Sequence, residues 1–131
     1  MTHLLDVNAL IALGFMAHVH HDRVAAWVAT LGEDDVLATC SITELGFVRI
    51  APQARLAPDV ATARHLLEQI RGVTRPPFVR LTDEVGVDAL SAWADTPAAT
   101  TDGHLSALAS HRSARLVTLD EGIPGSFLVP R

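Results

Sequence analysis

Four short segments carry an acid where an apolar run gives way to a helix: LLDVNAL, SITELGF, TTDGHLSALA and RLVTLDEG. They place Asp6, Glu44, Asp102 and Asp120 at a strand exit or in the first turn of a helix. Short strand-like runs alternate with helical spacing along the chain, which implies a parallel sheet covered by helices on both faces. In such a sheet the strand exits share one rim, and ligands bind outside the carboxyl ends of the strands where strand order reverses. Carboxylates gathered there repel by about 4 kcal/mol per pair at ~4 Å separation and an effective dielectric of ~20. A divalent cation relieves that repulsion, and an oxygen-rich, thiol-free site suits magnesium or manganese. The pattern points to metal-dependent hydrolysis of phosphodiesters.

The segments between these acids read as follows. His3 to Asp6 is a short strand, and Asn8 to Val19 has helical spacing with Leu10, Leu13 and Ala17 on one face. The polar stretch HVHHD leads to a second helix carrying Val24, Trp27, Val28 and Leu31, which ends before Gly32. Val36 to Cys40 is a buried strand and Ser41 to Ile50 the helix after it. Pro52 to Pro58 is a loop, and Pro58-Asp59 opens a helix with Val60, Ala63, Leu66, Leu67 and Ile70 inward and Arg64, Glu68 and Arg71 outward. FVRL is a third strand, and Asp83 to Trp93 is expected to be helical. Asp102 to His111 is a helix, Leu116 to Leu119 a strand, and Phe127 to Val129 a short last strand. With no repeat, linker or low-complexity segment, residues 1–131 form one domain.

Composition narrows the function. No apolar run reaches the ~18 residues of a membrane span, and Asp6 interrupts the apolar N-terminal stretch, so neither a span nor an ordinary signal peptide is expected. Cys40, the sole cysteine, permits no internal disulfide and fits a reducing cytoplasm. The formal net charge of -5 runs against the usual basic balance of nucleic-acid binders, but the four rim acids account for most of it. All 10 basic residues are arginines, which suit bidentate phosphate contacts but are better explained by a GC-rich genome.

Each acid has a structural reading beside the functional one. Asp6 suits an N-cap as well as a ligand. Asn8 suits turn chemistry or the orientation of a water or phosphate. Ser41-Ile42-Thr43-Glu44 matches a capping box in which Glu44 reaches back to the cap. Asp102 is favoured by the helix dipole in any role, and Asp120 before Glu121-Gly122 suits an Asx-turn. The joint placement of all four on one rim has no such explanation. The other acids, Asp83, Glu84 and Asp88 among them, read as solvated charge.

In order and spacing, LLDVNALIAL, ITELGFVRI, TDGHLSALA and LVTLDEGI resemble the motifs of PIN-domain ribonucleases, most closely the VapC toxins of bacterial VapBC toxin–antitoxin pairs. The resemblance spans nearly the whole chain. It implies a three-layer α/β/α sandwich around a central parallel sheet, and Mg2+- or Mn2+-dependent cleavage of RNA to 5′-phosphate and 3′-hydroxyl ends. By motif, it places metal binding on Asp6, Glu44, Asp102 and Asp120, and substrate positioning on Asn8 and Thr118. A homodimer and a VapB-like antitoxin covering or disrupting the site are also implied. In that chemistry the metal activates a water and stabilises charge on the phosphate, while an acid not engaged by the metal, Glu44 or Asp102, takes the water's proton. Gly103 and His104 stand where some relatives carry further acids, and Glu121 adds an acid beside Asp120.

Other features were weighed as well. His18, His20 and His21 suit a solvent-exposed turn better than a zinc or copper site. Cys40 lacks the glycine elbow of a nucleophile and reads as a small buried thiol. Trp27 and Trp93 read as core or subunit-interface residues. Arg49, Arg55, Arg64 and Arg71 form either an RNA path or a solvated face. The alternative function is a non-catalytic PIN-like module that grips RNA or protein, against which the gathered negative charge argues. A receiver-type phosphotransfer domain is disfavoured by the absence of lysine.

Overall fold

Leu4 and Leu5 are adjacent, fully buried and pointed to opposite faces of one strand, and each heads a different core. A computed structural model describes residues 1–131. The strands are β1 (Thr2–Leu5), β2 (Val36–Thr39), β3 (Phe78–Arg80), β4 (Arg115–Thr118) and β5 (Phe127–Leu128). The helices are α1 (Val7–Gly14), α2 (His21–Val28), α3 (Ser41–Gln53), α4 (Val60–Arg71) and α5 (Thr100–His111). All pairings are parallel in the order β3-β2-β1-β4-β5. The chain adds strands on one side of β1 as far as β3 and then crosses to its other side, so the reversal of strand order falls at β1.

Register sorts side chains between the two cores. Leu4 lies opposite Ala38 and Leu116, and these three pack with Leu105, Leu108 and Ala109 of α5. Leu5 lies opposite Val117, and both join Leu37 against α1 to α4. The layers are therefore unequal, with four helices on one face and α5 on the other. Fully buried Phe47 fills the larger core, stacked on Phe15 with ring centroids 5.4 Å apart. Truncation of such a ring typically costs about 3–5 kcal/mol. No helix is long and apolar enough to cross a membrane.

Two expected helices differ. The first ends at Gly14, not Val19, because Phe15 adopts extended backbone (φ -126°, ψ 114°) and turns inward onto Phe47. At Gly14 an added Cβ would lie 2.9 Å from Ile70 Cδ1 and 3.0 Å from Phe47 Cε2, so α1 packs too closely there for a side chain. The helix expected over 83–93 is replaced by loop with one 3-10 turn, Val87–Ala89. Its apolar spacing is real, but Asp83 accepts the Val85 N–H at 2.9 Å, competing with helix formation, and Gly86 is extended. The third helix runs on through Pro52 to Gln53.

At the amino end of the sheet, remote from the acids, His3 is 1% exposed and its ring lies edge-on to Trp27. The Arg115 Nε–H donates to His3 Nδ1 at 3.0 Å, so the imidazole proton sits on Nε2 and is donated to Asp35 Oδ1 at 2.9 Å. Burial and the Arg115 charge, with a further contribution from the Met1 ammonium, outweigh Asp35 and hold His3 below its ordinary pKa. The unfolded chain therefore takes up this proton more readily, near its ordinary value of about 6.5. The stabilisation is complete above that pH and is lost as pH falls through the lower folded value, at about 1.4 kcal/mol per unit of difference. Urea midpoints at about pH 8 and pH 5.5 should differ more for the native chain than for His3→Gln, which keeps a donor and an acceptor but does not titrate. Equal pH dependence in the two proteins would remove His3 from this role.

Candidate active site

β1 ends at Leu5, and Asp6 turns the chain into α1 with extended backbone (φ -70°, ψ 174°). Asp6 is 5% exposed, and each of its oxygens has a fixed donor. Oδ1 accepts the Ala9 N–H at 2.8 Å, capping α1, and Oδ2 accepts the Thr118 hydroxyl at 2.6 Å. Thr118 is fully buried at the end of β4, and its hydroxyl oxygen accepts the Asp120 N–H at 3.0 Å. Asp120 Oδ1 closes an Asx-turn by accepting the Gly122 N–H at 2.7 Å. The cap and the turn anticipated for Asp6 and Asp120 are both formed. Neither exhausts its carboxylate, since an ionised carboxyl has about four lone-pair sites.

Asp102 enters from the other side, in the first turn of α5, with no side-chain hydrogen bond. Gly103 lets that turn settle: an added Cβ would stand 2.4 Å from the Ala94 Cβ. His104, one residue on, pairs through Nε2 with Asp83 Oδ2 and ties the turn to the loop after β3. The Gly103-His104 departure thus has a packing reason, and Asp83 is a structural partner in this pair. Its expected solvation is only partial, because its carboxyl is 16% exposed.

Charge links three of the four acids. Burial raises the pKa of Asp6 and the charges of Asp102 and Asp120 raise it further, against the opposing hydrogen bonds from Thr118 and Ala9. Burial and then Asp120 raise Asp102 as well. Glu44 is not part of this exchange. Cys40, not Ser41, caps α3, with Thr43 Oγ1 accepting the Cys40 N–H at 2.9 Å, so the anticipated capping box does not use Glu44. Its carboxylate accepts a two-point hydrogen bond from Arg80 (Nε to Oε2 2.9 Å, Nη2 to Oε1 3.0 Å) and the Thr39 hydroxyl at 2.6 Å. Arg71 Nε lies 3.5 Å from Oε2. Burial alone would raise Glu44, but Arg80, Thr39 and the Arg71 charge outweigh it and lower its pKa.

Along the rim the order is thus Arg80 at β3, Glu44 after β2, Asp6 after β1 and Asp120 after β4. Asn8 is exposed in the first turn of α1. Sequence gives little sign of Arg80; its position two residues beyond the half-buried Phe78 in FVRL is the only local signal. His18, His20 and His21 gather no metal set: His21 Nδ1 donates to the Ala12 carbonyl and His18 Nδ1 accepts the His20 N–H. Cys40 is fully buried.

No three His, Cys, Asp or Glu side chains are drawn tightly enough to form a ready-made cage. The donor chemistry nevertheless fits a hard cation, since Asp6, Asp102 and Asp120 offer only oxygens, and burial and then neighbouring carboxylates raise the pKa values of Asp6 and Asp102.

The PIN domain family profile matches residues 3–124. The chain belongs to the PIN-domain family. It is 42% identical over 127 residues to Ribonuclease VapC38 of Mycobacterium tuberculosis, covering 92% of this chain and 86% of that protein. With Ribonuclease VapC39 of the same species it shares 38% over 137 residues, covering 96% and 94%. Its membership is therefore of the VapC branch. VapBC2 from Rickettsia felis, solved bound to a DNA fragment from its promoter, shares the fold at TM-score 0.69 and 15% identity, covering 98% of this chain and 97% of that one. So does VapC20 of M. tuberculosis, a sarcin–ricin loop cleaving toxin, at TM-score 0.68 and 14% identity over 98% of each chain.

Within this PIN fold the Thr118 hydroxyl is the one group bonded to both strand-end acids. Thr118→Val keeps the shape and deletes one buried and one part-buried hydrogen bond, which should cost about 1–3 kcal/mol in denaturant unfolding. Asp6 should then protonate at higher pH, read from its carboxyl carbon in an NMR titration. An unchanged titration would show that Thr118 does not hold Asp6 ionised.

Proposed function

We propose that this VapC-family chain is a magnesium- or manganese-dependent endoribonuclease toxin, the enzymatic half of a type II toxin–antitoxin pair. The observation that carries this reading is the convergence of Asp6, Asp102 and Asp120 on one rim, where strand order reverses and where burial and then neighbouring carboxylates raise the pKa values of Asp6 and Asp102. Relatives named as VapC ribonucleases align over almost the whole chain and supply the choice of RNA. The VapBC neighbour supports a VapB-like antitoxin as partner. A homodimer follows from the family resemblance.

Asp6 and Asp120 are the residues assigned to direct contact with the cation, with Asp102 completing the negative charge around it. Bound there, it would activate a water and stabilise charge on the attacked phosphate. Asp6 arrives preorganised, because Ala9 and Thr118 fix both of its oxygens before any ligand binds. Asp102 is better suited than Glu44 to take the water's proton: it has no hydrogen-bond partner and a raised pKa, whereas Glu44 is held ionised between guanidinium groups. Asn8, exposed beside Asp6, is assigned to positioning the RNA backbone.

Antitoxin-free protein incubated with total cellular RNA and magnesium or manganese should give discrete fragments, and EDTA should abolish them. Asp6→Asn should cut the rate by at least about a hundredfold, the upper end of what loss of a mere supporting partner costs a metal site. No cleavage by folded protein, together with no metal binding by calorimetry, would favour the non-catalytic binding module.

A further inference from the structure

A groove of about 490 Å³ opens between α3, α4 and the end of β3. Arg64, Arg71 and Arg80 line it with Glu44, Glu68 and the exposed Leu45. Three guanidinium groups thus meet two carboxylates in a chain whose net charge is negative. The excess lies at one end of the catalytic rim, since Glu44 belongs to both the groove and the rim. Two strand spacings, about 10 Å, separate the end of β3 from the end of β1.

Stability alone does not account for the Glu44 cluster. Arg80 is 50% exposed, and ion pairs at that exposure contribute little, about 0–1 kcal/mol. Arg80 already saturates one edge of Glu44 with a two-point contact. Arg71 adds a second guanidinium whose buried Nε has no hydrogen-bond partner and only a 3.5 Å approach to Glu44. The Nε itself is closed to solvent, but Arg71 lines the groove and its side chain is 26% exposed, which leaves the guanidinium open to a phosphate from that side. Planar guanidinium groups pair in the same forked way with carboxylates and with phosphates, so an RNA phosphate can replace Glu44 on either arginine.

We propose that Arg71 and Arg80 form a phosphate subsite for the RNA strand, one or two nucleotides from the scissile bond, and that Glu44 occupies this subsite until RNA displaces it. Glu44 is then an internal phosphate mimic as well as a rim acid: RNA entering the groove takes over the guanidiniums and frees the carboxylate beside Asp6. This deepens the ribonuclease reading and rests on it.

The test measures binding without chemistry or metal. Asp6→Asn protein in EDTA is titrated with a fluorescently labelled single-stranded RNA of about ten nucleotides, between about 50 and 200 mM salt. In that background Arg80→Ala and Arg71→Ala should each weaken binding about tenfold and lower the salt slope by about 0.7, as for one lost phosphate contact on a single strand. Arg80→Lys should restore part of the affinity, and thermal melts establish that each variant is folded. Glu44→Gln should tighten binding, and the gain should shrink in a Glu44→Gln/Arg80→Ala double variant, because it comes from the freed arginine. A gain of equal size in both backgrounds would reduce Glu44 to a simple repulsive charge and overturn the proposal. So would unchanged affinity and salt slope in both arginine variants. If those variants bind RNA normally while the native chain cleaves it, only the subsite falls; if the chain neither binds nor cleaves RNA, the ribonuclease reading falls with it.

Discussion

One buried hydroxyl joins the two strand ends on which the site is built. Thr118 donates to Asp6 and accepts from the Asp120 backbone, so the exits of β1 and β4 are fixed to each other by side chain as well as by ladder. The bond matters because Asp6 carries conflicting loads. As the N-cap of α1 it must stay ionised or lose most of its worth, while burial and two neighbouring carboxylates favour its protonated form. The Thr118 hydroxyl, with the Ala9 amide, opposes that pressure. Remove it and the helix start, the acid and the turn after β4 loosen together.

The architecture was legible because its signals were local and repeated. Short strand runs, all but the last followed by helical spacing, pointed to a parallel sheet, and the acids at the ends of three of them marked the rim. Where local signals competed, sequence reasoning failed in identifiable ways. Val87, Leu90 and Ala94 have helical spacing, yet the Asp83 side chain bonds the Val85 amide, and the segment is used to seat Gly103. The helix after Asp6 stops at Gly14 because a contact between distant residues, Phe15 on Phe47, outweighs continued helical spacing.

The site was only partly legible for a related reason. Placement on the rim follows from topology, but partnership does not. Ser41 and Glu44 have capping-box spacing, yet the cap shifts by one residue to Cys40 and Thr43 takes the N3 role. That shift frees Glu44 to meet Arg80, 36 residues away, through a pairing of β2 with β3 that no local pattern announces. His104 and Asp83, 21 residues apart, were hidden in the same way. Long-range polar pairs leave no periodic trace, because each half reads as ordinary surface charge.

These pairings divide the acids by how their charge is answered. Glu44 is neutralised internally by arginines, whereas burial and then neighbouring carboxylates raise the pKa values of Asp6 and Asp102. Charge held in this way weakens the folded state unless a ligand relieves it. In the proposed enzyme a cation would do so, which would couple metal affinity to fold stability: the same repulsion that destabilises the chain would provide the attraction for the metal. Relaxing the site by exchanging an aspartate for asparagine removes both at once. A chain of this kind can therefore gain stability at its active rim only by giving up the charge that its chemistry requires.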